Sequence, residues 1–159
     1  EAFFDIRSGK DFTVRTPRGT VTVLGTRFNI RNRGDFKVEC YEGTIVYVPL
    51  SENRTDTELT QGTEIQLIDG EILQREIPHS SPDWKNGFSS FSGRPLSEVL
   101  DELALQYPIG FNSAAIDVNR KFTGKFTHDN LENALKTTLE PMGIKYHISK
   151  DKRIITLSE

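Results

Sequence analysis

The chain has one cysteine and one tryptophan, and its three histidines lie far apart in sequence. A single cysteine excludes an intrachain disulfide. No two histidines are three or four residues apart, so no helix can present a paired-histidine metal site. The sequence has no G-x-S-x-G element and no Rossmann glycine pattern, and Gly87–Gly93 with Arg94 lacks the Gly-Lys-Ser/Thr ending of a phosphate loop. We therefore expect no enzymatic activity, no catalytic residue, no metal and no cofactor.

Long hydrophobic runs are also absent. No stretch approaches the roughly 20 apolar residues that cross a bilayer, and no signal-peptide pattern is present. The opening residues Glu1-Ala2-Phe3-Phe4 are typical of a strand interior, so we expect the sequence to be cut from a longer protein. The net charge of −3 argues against a nucleic-acid partner.

Positive charge is concentrated near the start of the chain. Lys and Arg outnumber Asp and Glu within residues 1–37, and the densest basic group is Arg27, Arg31, Arg33 and Lys37. One interpretation is the solvated face of a β domain. The alternative is a surface that binds an acidic partner.

Alternation of apolar and polar residues with period two runs from Phe3 to Ile77 and predicts strands with one buried face. Glycines separate these runs, and Arg33-Gly34-Asp35 and Asp69-Gly70 are the clearest hairpin signals. We expect residues 1–79 to form an all-β domain, a sandwich, roll or short solenoid, with Cys40 as a buried structural thiol. The polar residues Ser51–Thr57 predict an exposed loop. The alternating runs are Phe12–Val14, Val21–Val23, Phe28–Ile30, Phe36–Cys40, Ile45–Tyr47 and Ile65–Leu67.

A connector follows this half. Two prolines and two serines within Ile77–Asp83 predict a stiff, solvated link between two domains. Trp84 comes directly after it, and we expect this side chain to anchor the domain junction. The alternative for Trp84 is a ligand-stacking role.

Residues 84–159 carry the pattern of a second, smaller domain. After an aromatic-rich strand, one helical stripe contains Leu96, Val99, Leu100, Leu103, Ala104 and Tyr107. Pro95 suits the first helical position. The carboxylates Glu98, Asp101 and Glu102 are expected on the opposite, water-facing side.

A second helix is predicted after Asp129, which would cap it in a box with Glu132. Pro141 and Gly143 would end this helix. His128 and His147 are expected on the surface. Short strands at Ile109–Phe111, Lys121–Thr127, Ile144–Ile148 and Arg153–Leu157 give the order β-α-β-β-α-β-β. The whole chain is therefore expected to be α+β, and the stripe of its second helix is Leu131, Ala134, Leu135, Leu139 and Met142.

The last predicted strand has no later element to cover it. We therefore expect an edge strand with unpaired backbone groups, where a partner adds a strand along Arg153, Ile154, Ile155, Thr156 and Leu157. The alternative is that Ile155 and Leu157, or Ile154 and Thr156, complete the core. The basic group is the second candidate docking surface.

The run from Gly19 to Ile30, G-T-V-T-V-L-G-T-R-F-N-I, resembles the signature of the FecR family, and Thr16 extends the match upstream. Val38 to Val48 is similar to the strand pair that follows in that family. The second half resembles the domain that commonly follows FecR, which looks like the short signalling fold of secretins and TonB-dependent transducers. Its matching residues are Trp84, Gly87, Phe91, Pro95, Leu96, Glu98, Val99, Leu100, Glu102, Leu103, Tyr107, Gly124–Phe126 and Leu131–Leu135.

This resemblance implies the periplasmic sensor of a single-pass anti-sigma factor, anchored in the inner membrane by a segment outside this sequence. The sensor would bind the N-terminal signalling domain of a TonB-dependent outer-membrane transporter. It would relay that transporter's state to an extracytoplasmic-function sigma factor, held by a cytoplasmic segment also outside this sequence. Two alternatives remain: a periplasmic glycan-binding module using Trp84, Tyr107 and the basic group, and an assembly domain of a secretin-like machine.

Overall fold

The computed structural model describes residues 1–7, 9, 11–50 and 55–159. The chain divides into two compact units, Glu1–Pro82 (unit 1) and Asp83–Glu159 (unit 2). Unit 1 is built of strands, and unit 2 combines strands with two α-helices. The predicted α+β class, with an all-β first half, is confirmed.

The described residues of unit 1 form nine strands in two antiparallel sheets. Sheet A has the strand order β1-β4-β5-β8-β9, and sheet B has the order β2-β3-β6-β7. The strands are β1 (Ala2–Asp5), β2 (Asp11–Thr16), β3 (Gly19–Leu24), β4 (Arg27–Arg33), β5 (Asp35–Glu42), β6 (Thr44–Pro49), β7 (Thr57–Thr60), β8 (Thr63–Ile68) and β9 (Glu71–Glu76).

The apolar residues of both sheets form one core. All six predicted runs are strands, and their alternation places every second side chain inside. The buried set is Val21, Val23, Phe28, Ile30, Phe36, Val38, Cys40, Ile45, Tyr47, Leu59 and Ile65. Burial raises the pKa of the Cys40 thiol, and its hydrogen bond to the Glu42 carbonyl lowers that pKa by less, so the pKa is about 11. The prediction of a buried thiol is confirmed.

Strand β7 was not predicted, and β9 was indicated only as the second arm of the Asp69-Gly70 hairpin. The first has a single apolar residue, Leu59, and most of the second is exposed, so neither shows a clear alternating pattern. Thr57, predicted in a loop, begins β7, while residues 51–54 of that loop lie outside the described residues. Both predicted hairpins are confirmed: Gly34 has φ 64°, and Asp69 and Gly70 have φ 49° and 83°. The second pair suits the turn that matches strand twist.

Unit 2 follows the predicted order. The elements are a 3₁₀ helix (Asp83–Asn86), β10 (Phe88–Pro95), α1 (Leu96–Gln106), β11 (Gly110–Asn112), β12 (Lys121–Thr127), α2 (Leu131–Leu139), a second 3₁₀ helix (Glu140–Met142), β13 (Lys145–Ile148) and β14 (Ile154–Ser158). Strand β10 pairs with β12. Strand β14 lies between β11, which is parallel to it, and β13, which is antiparallel.

The helices pack their apolar stripes into one core with the strands. Both predicted stripes are confirmed at their buried positions. The core contains Leu96, Val99, Leu100, Leu103, Phe122, Phe126, Ala134, Leu135, Leu139, Ile144, Ile155 and Leu157. Such a face supplies most of the stability of helices this short.

Both predicted helix starts are wrong by one residue. Pro95 is the N-cap of α1 and has extended ψ of 142°, so the helix begins at Leu96. Asn130, rather than Asp129, caps α2: its side-chain oxygen accepts the backbone N–H of Asn133 at 3.1 Å. Asp129 instead accepts the hydroxyl hydrogen of Thr127.

The predicted solvated connector is only partly solvated. The Ile77 N–H donates to the Gly62 carbonyl at 2.9 Å, and Pro82 is buried. The His79 ring lies 5.9 Å from the ring of Tyr41. Residues 77–79 are thus tied to sheet A, although their composition is that of a linker.

Candidate functional site

The FecR-like run begins in the turn between β2 and β3. The Thr16 hydroxyl accepts the backbone N–H groups of Arg18 and Gly19, each at 3.1 Å. A Cβ on Gly19 would lie 2.5 Å from the Val48 carbonyl oxygen and 2.6 Å from the Tyr47 ring. The Tyr47 hydroxyl donates to the Arg18 carbonyl at 2.8 Å. This part of the run is glycine-dependent because the turn lies directly against β6.

The next part of the run joins two turns. Gly25 has φ 72° and Gly43 has φ 85°, a region that side chains disfavour. A Cβ on Gly43 would lie 2.7 Å from the Gly25 carbonyl oxygen. Buried Thr26 donates its hydroxyl to the Thr44 carbonyl at 3.0 Å. These residues specify the fold of unit 1 and present no chemistry.

Asn29 differs from the other residues of the run because its polar side chain lies on the outer face of sheet A. It is fully buried, and its Nδ2 donates to Glu1 Oε1 at 2.8 Å and to Glu39 Oε2 at 2.9 Å. His79 Nε2 lies 3.3 Å from the other oxygen of Glu39. We call Glu1, Asn29, Glu39 and His79 the outer-face network.

The charge of Glu39 is compensated. Burial by itself would raise the pKa of its carboxyl, but the hydrogen bond with His79, the Lys37 ammonium and the Asn29 amide together hold that pKa at about 2. Lys37 Nζ donates to Glu39 Oε1 at 2.7 Å and lies 3.3 Å from Glu64 Oε2. A buried carboxylate with this many donors remains ionised at neutral pH.

The sequence did not reveal this network. Asn29 is visible in the run, but its contact with Glu39 depends on the β4–β5 register, in which Asn29 faces Glu39. His79 reaches the same carboxylate from a different part of the chain. The sequence signal for this contact was the hairpin at Arg33-Gly34-Asp35, because the position of its turn determines which residues of β4 and β5 pair.

The basic group is not a free positive surface. All four of its members lie on β4 or β5 and pair with carboxylates. The pairs are Arg27 with Asp5 and Glu42, Arg31 with Asp35, Arg33 with Glu1, and Lys37 with Glu39 and Glu64. This arrangement favours the solvated-face interpretation over docking of an acidic partner.

The last strand is not an edge, so that expectation is wrong. Strand β14 is the central strand of its sheet, because the short β11 pairs with it in parallel. Of the candidate docking residues, Ile155 and Leu157 are fully buried in the core, and Arg153, Ile154 and Thr156 are exposed. The alternative that Ile155 and Leu157 complete the core is confirmed. Strand addition along Ile155 and Thr156 is blocked, since these residues pair with β11 on one side and with β13 on the other.

The two aromatic side chains proposed for ligand stacking differ in exposure. Trp84 lies in the first 3₁₀ helix and is 37% exposed. Tyr107 packs against the core of unit 2, and its hydroxyl donates to the Thr127 carbonyl at 3.1 Å. Burial, together with the nearby charge of Asp129, raises the pKa of Tyr107. Tyr107 therefore serves the fold, and the junction role of Trp84 stays a prediction.

A second polar network in unit 2 was also missed. Glu102, predicted to face water, is 8% exposed and accepts hydrogen bonds from Ser89 at 3.3 Å and Gln106 at 2.9 Å. His128, expected on the surface, is half-buried, with Nε2 2.9 Å from Ser89 Oγ. Burial lowers the pKa of His128, and the charge of Glu102 opposes that shift. His147 is exposed, as predicted.

This second network, Ser89–Glu102–His128, has the residue types of a hydrolase triad in the wrong order. A triad needs the histidine between serine and carboxylate, so that it can take the serine proton. Here the serine lies between the other two and donates its hydrogen to Glu102. The geometry therefore does not activate Ser89 as a nucleophile.

Two kinds of feature are absent from the described residues. No group of three or more His, Cys, Asp or Glu side chains there is arranged to hold a metal ion. In the same part of the chain, no helix is long and apolar enough to span a membrane.

Comparison with known proteins agrees with this architecture. The FecR protein family model matches residues 1–46, and the FecR C-terminal model matches residues 89–156. Two crystal structures of a protein provisionally assigned as an anti-sigma factor from Parabacteroides distasonis ATCC 8503 share the fold, with TM-scores of 0.78 and 0.79. Their identities are 22% and 24%, and each match covers 99% of this chain and 76% of the crystallised chain. No curated protein matches significantly. Since both family models are FecR models and together span most of the sequence, the chain belongs to the FecR family.

Proposed function

We propose that this chain is the periplasmic sensor region of an anti-sigma regulator anchored in the inner membrane. The observation that carries the proposal is the presence of a FecR unit followed by a FecR C-terminal unit in one chain. The relation in fold to a protein provisionally assigned as an anti-sigma factor supports it. The function is binding and relay, and it requires no catalytic residue.

The proposed partner is the N-terminal signalling domain of a TonB-dependent outer-membrane transporter. The state of that transporter would pass through this chain to an extracytoplasmic-function sigma factor. Both polar networks support a binding role, because their groups are engaged with one another. Such an arrangement stabilises the two units and leaves their surfaces for recognition.

Strand addition requires a free sheet edge, and we propose that it occurs at β13. In its three-stranded sheet the edges are β11 and β13. Ser149 N–H donates to the Ile154 carbonyl at 2.9 Å. Because bonded and non-bonded pairs alternate in antiparallel strands, the amides of Tyr146 and Ile148 point away from β14. The exposed Lys145 and His147 side chains beside them suit a partner strand with acidic residues.

The rival functions have less support. A glycan module would use Trp84 and Tyr107, but the Tyr107 hydroxyl is already bonded within unit 2. An assembly domain of a secretin-like machine would account for unit 2 alone. That function does not explain unit 1, whose residues 1–46 match the FecR model.

The test is calorimetric titration of the whole chain with the purified signalling domain of a TonB-dependent transporter from the same organism. We expect saturable binding without any added small molecule. Binding of soluble glycans, with none to the signalling domain, would contradict the relay function and support the glycan module.

Hydrogen exchange in the same complex tests the binding mode. We expect the amides of Tyr146 and Ile148 to become protected when the signalling domain is added. The amides of β14, already paired on both sides, serve as the internal control. Binding that leaves Tyr146 and Ile148 unprotected would place the docking surface elsewhere and would leave the relay function standing.

A further inference from the structure

Two distant parts of unit 1 meet at one buried pair of side chains. Glu1 directly precedes β1, and His79 follows β9. Glu1 contacts Asn29 at 2.8 Å, Asn29 contacts Glu39 at 2.9 Å, and Glu39 contacts His79 at 3.3 Å. The outer-face network is therefore a continuous path from the first strand of unit 1 to the segment that leaves the unit.

The two central members of this path cannot readily exchange a lost partner for water. Asn29 is 0% exposed and Glu39 is 3% exposed. A buried polar group that loses a partner keeps most of its desolvation cost, and members of such a network strengthen one another. The outer members differ, because the side chains of Glu1 and His79 are 15% and 36% exposed. They can leave while the centre stays buried.

Both ends of the path hold elements at the border of sheet A. Strand β1 is an edge strand, held by its backbone pairing with β4 and by Phe4, which packs against the core. Residues 77–79 form no strand or helix. Their contacts with the rest of unit 1 include the Ile77–Gly62 backbone bond, the His79–Tyr41 ring contact and the His79–Glu39 contact. Edge strands and irregular segments are among the parts of a fold that can open locally without unfolding of the whole unit.

We propose that the outer-face network is a latch that couples the packing of β1 to the packing of residues 77–79. When His79 leaves Glu39, the carboxylate loses a donor, the Asn29–Glu39 pair reorganises, and the hold on Glu1 weakens. Coupling between two sites is reciprocal, so release of Glu1 loosens residues 77–79 by the same factor. The latch rests on the geometry of unit 1 alone and goes beyond the proposed function. In a sensor, the latch would transmit a conformational change at residues 77–79 to strand β1.

Native-state hydrogen exchange of the whole chain tests the latch with His79→Phe and Glu1→Ala. The phenylalanine keeps an aromatic ring beside Tyr41 and removes the bond to Glu39. We expect His79→Phe to speed exchange of the β1 amides Ala2–Asp5 by about fivefold or more, the lower end of typical coupling factors. Glu1→Ala should speed exchange of the Ile77 and His79 amides by a similar factor.

The control variant is Asp35→Ala. Asp35 lies on β5, the strand of Glu39, but it bonds Arg31 and Gln66, which are outside the path from Glu1 to His79. We expect it to leave exchange at both ends unchanged. The buried Val38 amide on β5 reports general stability.

Two results would overturn the latch. One is faster exchange only near the substituted residue, which would mean that the two ends open independently. The other is equal acceleration at Val38, β1 and residues 77–79, which would mean a general loss of stability. Glu39→Gln provides a second check, because it removes the central charge and must loosen both ends together if the path is continuous.

Discussion

Among the described residues, each unit of this protein buries one glutamate, and the two glutamates are stabilised in different ways. Glu39 in unit 1 accepts bonds from a lysine, an asparagine and a histidine at a sheet surface. Glu102 in unit 2 accepts bonds from a serine and a glutamine on and beside α1. Glu39 therefore has the Lys37 ammonium against it, while Ser89 and Gln106 are neutral donors to Glu102. Truncating one member of a charged pair costs more than replacing a neutral one, so the two networks should respond differently to the same substitution.

The largest expected effect is the truncation of a side chain in the apolar core of unit 2, which gives a reference value for that comparison. Leu100 is 4% exposed on the stripe of α1, and Leu100→Ala should lower the free energy of unfolding of unit 2 by about 2–5 kcal/mol. Chemical denaturation followed by circular dichroism gives the measurement.

Glu98→Ala is the matched control on the same helix. Glu98 pairs with Arg94 at the surface, and such pairs contribute only about 0.5 kcal/mol. Equal losses for the two variants would mean that the buried face of α1 is wrongly assigned.

The second prediction compares the two glutamates directly. Glu39→Gln should destabilise unit 1 by about 3 kcal/mol at pH 7, because Lys37 loses its closest carboxylate oxygen in a partly buried site. Glu102→Gln should cost unit 2 about 1 kcal/mol, because an amide oxygen can still accept from Ser89 and Gln106.

The measurement is again chemical denaturation, with a separate spectroscopic signal for each unit. Trp84 fluorescence follows unit 2, and amide exchange at β5 follows unit 1. If Glu102→Gln lowered the free energy of unfolding more than Glu39→Gln did, the prediction would be wrong. Charge pairing would then contribute more to the network of Glu102 than to that of Glu39.

The pH dependence of unit 1 gives a third prediction. The folded pKa of Glu39 is about 2, below its ordinary value of 4.5. Its stabilisation is therefore present above pH 4.5 and is lost as the pH falls toward 2. The shift corresponds to roughly 3 kcal/mol. Unfolding curves between pH 6 and pH 2 should show this loss, and Glu39→Gln should flatten it. An unchanged slope in that variant would assign the acid sensitivity to other groups.

The sequence predicted the apolar architecture better than the polar contacts. The stripes of α1 and α2 and the runs in β2–β6 appeared as local periodicities, because burial of one face imposes a fixed spacing. Strands β7 and β9 lack that spacing, so β7 was missed and β9 was indicated only by its hairpin turn. The error at β14 has a different cause: pairing with β11, a strand of three residues, depends on how the chain crosses the sheet. Local sequence carries little information about such a crossing.

The polar networks could not be predicted for a related reason. Glu102 occupies a position that a helical projection assigns to water, but Ser89 on β10 and His128 after β12 lie over it. Glu39 likewise contacts His79, which lies 40 positions away in the sequence. Contacts of this kind arise from the register and packing of whole elements. A single sequence shows the residue types involved but not which of them meet.

The smallest expected effect concerns His128. Burial lowers the pKa of this imidazole below its ordinary 6.5, and the negative charge of Glu102 opposes the shift. The unfolded chain therefore binds the proton more readily than the folded one, so the contribution of His128 to stability is fully present above pH 6.5. It falls as the pH drops through the folded pKa. An NMR titration of the His128 ring should show the lowered pKa directly. Glu102→Gln removes the opposing charge and should lower the pKa further, whereas Glu98→Gln, on the exposed part of the same helix, should leave it unchanged. A rise in the pKa of His128 on Glu102→Gln would mean that the carboxylate does not act on the imidazole through its charge, and the second network would then be a set of neutral hydrogen bonds alone.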